Sequence, residues 1–242
     1  MTRQPAVLAV AAPGHSGDAV RSVAKAFAGA QHAALDERLA SPPLLARGSG
    51  AARRAVIQAA RAEHVTGIVV DAPTGDPAIA MRFAAAIAQP VVFVPRATRV
   101  PFALGRVLIP LDGSRRAIEA VAEAARIVRD TGADVIVLHC LHGGAVPLFE
   151  DHPQYEAGDW AREFTARFSG AFGEATLEVR EGPPAEHAVD VCESVAADLI
   201  VLGWSRRPAP TRARTVRAVL QRSAVPVMLL PAHAHGREGQ AI

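Results

Sequence analysis

Val107-Leu108-Ile109-Pro110-Leu111-Asp112-Gly113-Ser114 is the stretch that decides how this chain is read. A short apolar run that ends in Asp-Gly-Ser and passes at once into a helical pattern marks a buried parallel strand opening onto a helix N-terminus. At such a strand end the Asp112 carboxylate and the free N–H groups of the next helix share one crevice, and sheets of this class bind ligands along that edge. Taken alone, Asp112 or Ser114 serves equally well as a helix cap. The flanking sequence is what favours a ligand crevice.

Downstream, the pattern predicts strand 106–111, helix 115–130, strand 134–140, loop 141–153, helix 155–169, strand 175–180, helix 184–196, strand 198–202, helix 212–223 and strand 226–230. Upstream, it predicts strand 6–12 and a Pro13-Gly14-His15-Ser16 turn with Ser16 as candidate cap, then a helix to about residue 29. A weak strand at 32–35, helix 51–64, strand 67–70, helix 76–88 and strand 91–94 complete that half. Residues 96–105 hold Pro101 and no periodicity, so they read as a linker. The expected organisation is a domain at 1–95, the linker 96–105, a domain at 106–231 and a disordered polar tail at 232–242.

The halves echo each other. Val7-Leu8 matches Val107-Leu108, Gly67-Ile68-Val69-Val70 matches the run Asp198 to Leu202, and Gln89-Pro90-Val91-Val92-Phe93-Val94-Pro95 matches Val225-Pro226-Val227-Met228-Leu229-Leu230-Pro231. Three correspondences in one order point to a tandem duplication. Strands alternating with crossover helices imply parallel sheets covered on both faces. The expectation is two separate sheets; one sheet continuous through both halves would end the case for a doubled mononucleotide fold.

Composition narrows the function. The net charge of +2 over 242 residues sets aside DNA as a partner, and the 5% aromatic content suits alanine-rich helices on a parallel sheet. Lys25 is the only lysine, a skew that genome composition explains as readily as phosphate binding. No secretory h-region follows Met1 and no run reaches membrane-spanning length. Cys140 and Cys192 make no disulfide framework, so a cytoplasmic protein is expected.

With Val107 to Ser114, Gly182-Pro183-Pro184-Ala185-Glu186, Ala197-Asp198-Leu199-Ile200-Val201-Leu202-Gly203, and Val219-Leu220 before Val225-Pro226-Val227, the second half resembles a universal stress protein domain over 106 to 231. The first half looks like a shortened copy lacking one βα element. The resemblance implies two tandem Rossmann-like domains of the adenine nucleotide alpha hydrolase-like kind, each a parallel sheet flanked by helices. It further implies an intramolecular pseudo-dimer, in which the first half stands in for the second subunit of the family's usual dimer and seals an edge strand; homodimerisation stays open.

The resemblance also implies a site. Its adenosine end uses Pro110, Asp112 and the strand end at Cys140, while its phosphate end follows Gly203 in a G-x-x-G-x(9)-G-[S/T] loop. This chain departs from that loop, because Arg206 takes the second glycine's place after Ser205, and Ala213-Arg214 or Arg214-Thr215 stands where Gly-Ser is expected. Long side chains and two prolines spoil a backbone nest, whereas guanidinium forks suit phosphate oxygens. A rearranged anion site competes here with a solvated basic loop. In the first half Ala12 replaces the aspartate and Asp71-Ala72-Pro73-Thr74-Gly75 replaces the phosphate loop, so no nucleotide is expected there.

His139, Cys140, His142, Asp151 and His152 cluster near one strand end, but His139 and Cys140 fall on opposite faces and no paired ligand spacing occurs, so no metal is assigned. No G-x-S-x-G elbow or P-loop is present. Phe149, Tyr155, Trp160, Phe164 and Phe168 read as core packing, or alternatively as a partner-binding lid. The leading expectation is a non-enzymatic stress-response protein with a degenerate adenine-nucleotide site in the second half. The alternatives are a weak ATP-binding and hydrolysing protein using Mg, and a protein-interaction module without ligand.

Overall fold

Nine strands and five helices carry the described fold. The computed structural model describes residues 4–41, 43–46, 48–111, 124, 127, 128, 131–141, 175–204 and 210–231. The strands are β1 Ala6–Ala11, β2 Ala34–Leu39, β3 Val65–Asp71, β4 Val91–Val94, β5 Arg106–Leu111, β6 Asp134–Leu141, β7 Thr176–Glu181, β8 Leu199–Trp204 and β9 Val227–Pro231. The helices are α1 His15–Ala30, α2 Gly50–Ala60, α3 Ala78–Ala85, α4 Pro184–Ser194 and α5 Pro210–Arg222. Ala124, Ile127 and Val128 are helical and buried; the rest of the expected helix 115–130, helix 155–169, the loop beyond Leu141 and the tail lie outside the described residues. No described helix is long and apolar enough to cross a membrane.

The central strands are apolar on both faces because helices cover both faces. One layer packs on Leu8, Ile68, Phe93, Leu108, Ile200 and Leu229, the other on Val7, Val69, Val92, Val107, Leu199 and Met228. The first layer takes α2, α3, α4 and α5, and the second takes α1 and the helical residues near Ile127. Pro184 opens α4, where its missing N–H leaves nothing unsatisfied. The weak strand expected at 32–35 runs instead over Ala34–Leu39. It is an edge strand, and its charged run Asp36-Glu37-Arg38, half-buried at Asp36 and exposed beyond it, hides the apolar pattern.

The expectation of two separate sheets is corrected by the strand order β2-β1-β3-β4-β9-β8-β5-β6-β7 in one sheet. Each half keeps its own parallel ladder, and the two meet where β4 pairs antiparallel with β9, Val91 facing Leu229, Val92 facing Met228 and Phe93 facing Val227. Each half ends on an apolar strand whose outer backbone groups need partners. Joined in one chain, the two last strands satisfy each other.

The registers of the halves coincide. Val7 pairs with Gly67 as Val107 pairs with Leu199, Ala6 with Ala34 as Arg106 with Asp134, and Ile68 with Val91 as Ile200 with Val227. The segment between the halves is tied to both of them. Ser22 Oγ accepts from the Phe102 N–H at 2.7 Å, and Asp198 Oδ2 accepts from the Gly105 and Arg106 N–H groups, each at 2.9 Å.

Candidate functional site

A chain that leaves β5 for β6 and β7 on one side, then returns to lay down β8 and β9 on the other, creates a switch point between β5 and β8. The ladder there is short. Val107 pairs with Leu199 and Leu108 with Ile200, and among the described residues no later pair follows. Each tip stays tied to its outer neighbour, Leu111 to His139 and Trp204 to Pro231. Backbone pairing between β5 and β8 therefore ends two residues before Pro110, and the carboxyl ends of the two strands run on without a shared ladder.

Pro110 explains where the ladder stops. The Asp198 N–H donates to the Arg106 carbonyl at 2.8 Å and the Asp134 N–H to the Gly105 carbonyl at 2.9 Å. Backbone groups alternate sides along a strand, so Arg106, Leu108 and Pro110 address β8 while the residues between them address β6. Proline has no N–H, and the bond that would extend the β5–β8 ladder is missing. In the first half Val10 holds that position, and the ladder continues to Val10 opposite Val70.

Of the sequence-expected site residues, Pro110, Cys140 and Gly203 lie toward the carboxyl edge of three adjacent strands, β6, β5 and β8. Arg214 and Thr215 lie one turn into α5, whose Val216, Val219 and Leu220 pack on the same sheet face as Cys140 and Leu202. Arg214 is exposed and Thr215 half-buried. Asp112, Ser205 and Arg206 lie outside the described residues. Burial pushes the Cys140 thiol up to about 11, against the opposing influence of Arg180 in the strand beside it, which favours the protonated form near neutral pH. His139 is buried too, and alternation turns it to the face opposite Cys140, as expected. Among the described residues no three His, Cys, Asp or Glu side chains gather as a metal ion needs.

Trp204 was not among the expected site residues. It closes β8 beside Gly203, is buried, and its indole N–H has no hydrogen-bond partner among the described residues. A large aromatic directly after a strand-end glycine was the signal.

The first half has the equivalent switch point between β1 and β3, with different side chains. By register Asp71 stands where Gly203 stands, and Ala12 where Asp112 stands. Asp71 is buried; its Oδ2 accepts from the Ala12 N–H at 3.2 Å and its Oδ1 from the Ser16 hydroxyl. Ser16 therefore does not cap α1, which starts from Gly14 without a side-chain cap. The carboxylate is the stronger acceptor and takes the hydroxyl. Gly17 lies so near the β1 tip that a Cβ there would stand 1.8 Å from the Ala12 carbonyl oxygen.

A doubly wound α/β sheet whose two halves repeat one strand order and one register defines a Rossmann-like protein of repeated build. The universal stress protein family model matches residues 104–231, and the chain belongs to that family. Its fold is similar to that of a universal stress protein from Archaeoglobus fulgidus DSM 4304, at 13% identity and TM-score 0.61 over 96% of this chain and 97% of that one. A functionally unknown protein from Pseudomonas aeruginosa PAO1 gives 20% identity and TM-score 0.65 over 95% and 93%. A universal stress protein in complex with cAMP covers 54% of this chain and 99% of its own, at 25% identity and TM-score 0.41. Among curated proteins none matches this sequence.

Proposed function

We propose that this protein acts in stress response by binding, without catalysis, and that the edge at the β5 and β8 tips receives an adenine nucleotide. The observation that carries this reading is the switch point between β5 and β8, where ladder pairing stops after Leu108 and Ile200, at the edge where sheets of this class take ligands. In this reading Asp112 addresses the ribose or base from the end of β5. Gly203 lets the chain turn close to the ligand, and Arg206 and Arg214 meet phosphate through guanidinium forks in place of a glycine-lined nest. The absence of that nest makes the site degenerate and its affinity low. The two buried free cysteines fit a cytoplasmic setting.

Thermal unfolding with AMP, ATP and Mg-ATP tests the reading. A ligand at about 100 times its Kd adds about 2.7 kcal/mol to stability, so a clear rise in Tm is expected, lost in Asp112→Ala, with no phosphate release. No rise with any of the three gives the interaction module without ligand; phosphate release abolished by Asp112→Ala gives the hydrolysing alternative.

A further inference from the structure

In the sequence the two halves carry their acidic residue at the ends of different strands. In the second half the acid follows β5, as Asp112, and glycine ends the facing register position on β8. In the first half alanine follows β1 and the acid sits on β3, as Asp71. We propose that Asp71 is a built-in anion that occupies and shuts the ligand crevice of the first half, so that the chain offers one crevice and not two.

Three observations carry this. The Asp71 carboxylate is almost wholly buried, with one oxygen on the backbone N–H at the β1 tip and the other on a hydroxyl in the first turn of α1. Those are the kinds of donor that receive a ligand's anionic group at a strand-to-helix crevice. The β1–β3 ladder runs on to Val10 and Val70, where its counterpart stops two residues earlier at Leu108 and Ile200. Finally, α1 rides so close on the β1 tip at Gly17 that nothing larger than hydrogen fits between them. The carboxylate thus satisfies donors that burial would otherwise leave unpaired, and it straps β1, β3 and α1 together.

The test uses the full chain and the variants Asp71→Ala and Ser16→Ala, with hydrogen exchange read over residues 12–17 with and without inorganic phosphate. In Asp71→Ala these amides are expected to exchange roughly tenfold faster or more, and millimolar phosphate is expected to slow them again by filling the vacated place. In Ser16→Ala exchange quickens less, and phosphate changes nothing because the carboxylate is still there. Unchanged exchange in Asp71→Ala overturns the strap, and faster exchange indifferent to phosphate overturns the built-in anion. Should Asp71→Ala fail to fold, a phosphate effect on Ser16→Ala would overturn the proposal and its absence would uphold it. The readout lies wholly in the first half, so it stands or falls apart from nucleotide binding in the second.

Discussion

Val92 of β4 and Met228 of β9 face each other at the centre of the antiparallel seam, both buried, and the internal symmetry of the chain turns about this pair. Val91 opposite Leu229 maps onto Phe93 opposite Val227 when the halves are exchanged, while Val92 and Met228 exchange with each other. The seam is thus an isologous interface made within one chain. Met228→Ala is expected to cost about 2–5 kcal/mol by urea unfolding. Combined with Val92→Ala it should show a coupling of about 0.5–3 kcal/mol, and strict additivity would contradict the contact.

The short β5–β8 ladder depends on a missing donor. Pro110→Val returns an N–H on the side that addresses β8, as Val10 does in the first half. The ladder should then run further toward the tips, adding about 0.5–1.5 kcal/mol of stability and slowing amide exchange at residues 201–204. Any nucleotide-induced rise in Tm should shrink in the same variant. Faster exchange there would argue that the short ladder has another cause.

Asp198 ties the segment between the halves to the start of β8 through one oxygen shared by two backbone N–H groups. Asp198→Ala leaves both donors without their charged acceptor and should cost about 1–3 kcal/mol. Asp198→Asn keeps a carbonyl oxygen and should cost less. Equal losses in the two variants would show that the charge, and not the geometry, matters.

Both cysteines should be silent in the native state. Burial raises Cys140 from 9.0 to about 11 and Cys192 to about 12, with Glu193 and Asp198 adding to the rise at Cys192. The thiolate is the reactive form, so labelling by a maleimide near neutral pH should be slow until the protein unfolds. Because the folded values lie above the unfolded ones, the unfolded chain loses these protons first as pH rises. Stability from these thiols is full below about 9 and falls between about 9 and 12. Rapid labelling of the native protein at pH 7 would show that these sulfurs are open to solvent.

Gly17 has no room for a side chain. Gly17→Ala forces α1 off the β1 tip and should lower stability by about 1–3 kcal/mol. An unchanged Tm would show that the helix moves away freely.

Much of this was legible along the chain. The apolar runs at 107–111 and 199–202 are strands because nothing else buries four or five consecutive aliphatic residues between turn signals, and the repeat of Val91-Val92-Phe93 in Val227-Met228-Leu229 marks equivalent strands. The edge strand β2 was misplaced because a strand with exposed charged residues loses its pattern. Of the candidate site, Pro110, Cys140 and Gly203 could be assigned to neighbouring strand ends from the βα order alone. Trp204 and Asp71 were not singled out, since their significance lies in what they meet across the sheet.

By itself the sequence determined the alternation of strands and helices, the duplication, and the acid and glycine at the second half's strand tips, because these follow from local pattern and from chain order. Only the tertiary structure decided that one sheet runs through both halves, that the β5–β8 ladder stops short of Pro110, and that Asp71 reaches Ala12 and Ser16. The physical reason is that pairing of edges and satisfaction of buried donors are settled between segments some 55 to 138 residues apart, where no local periodicity records the partner.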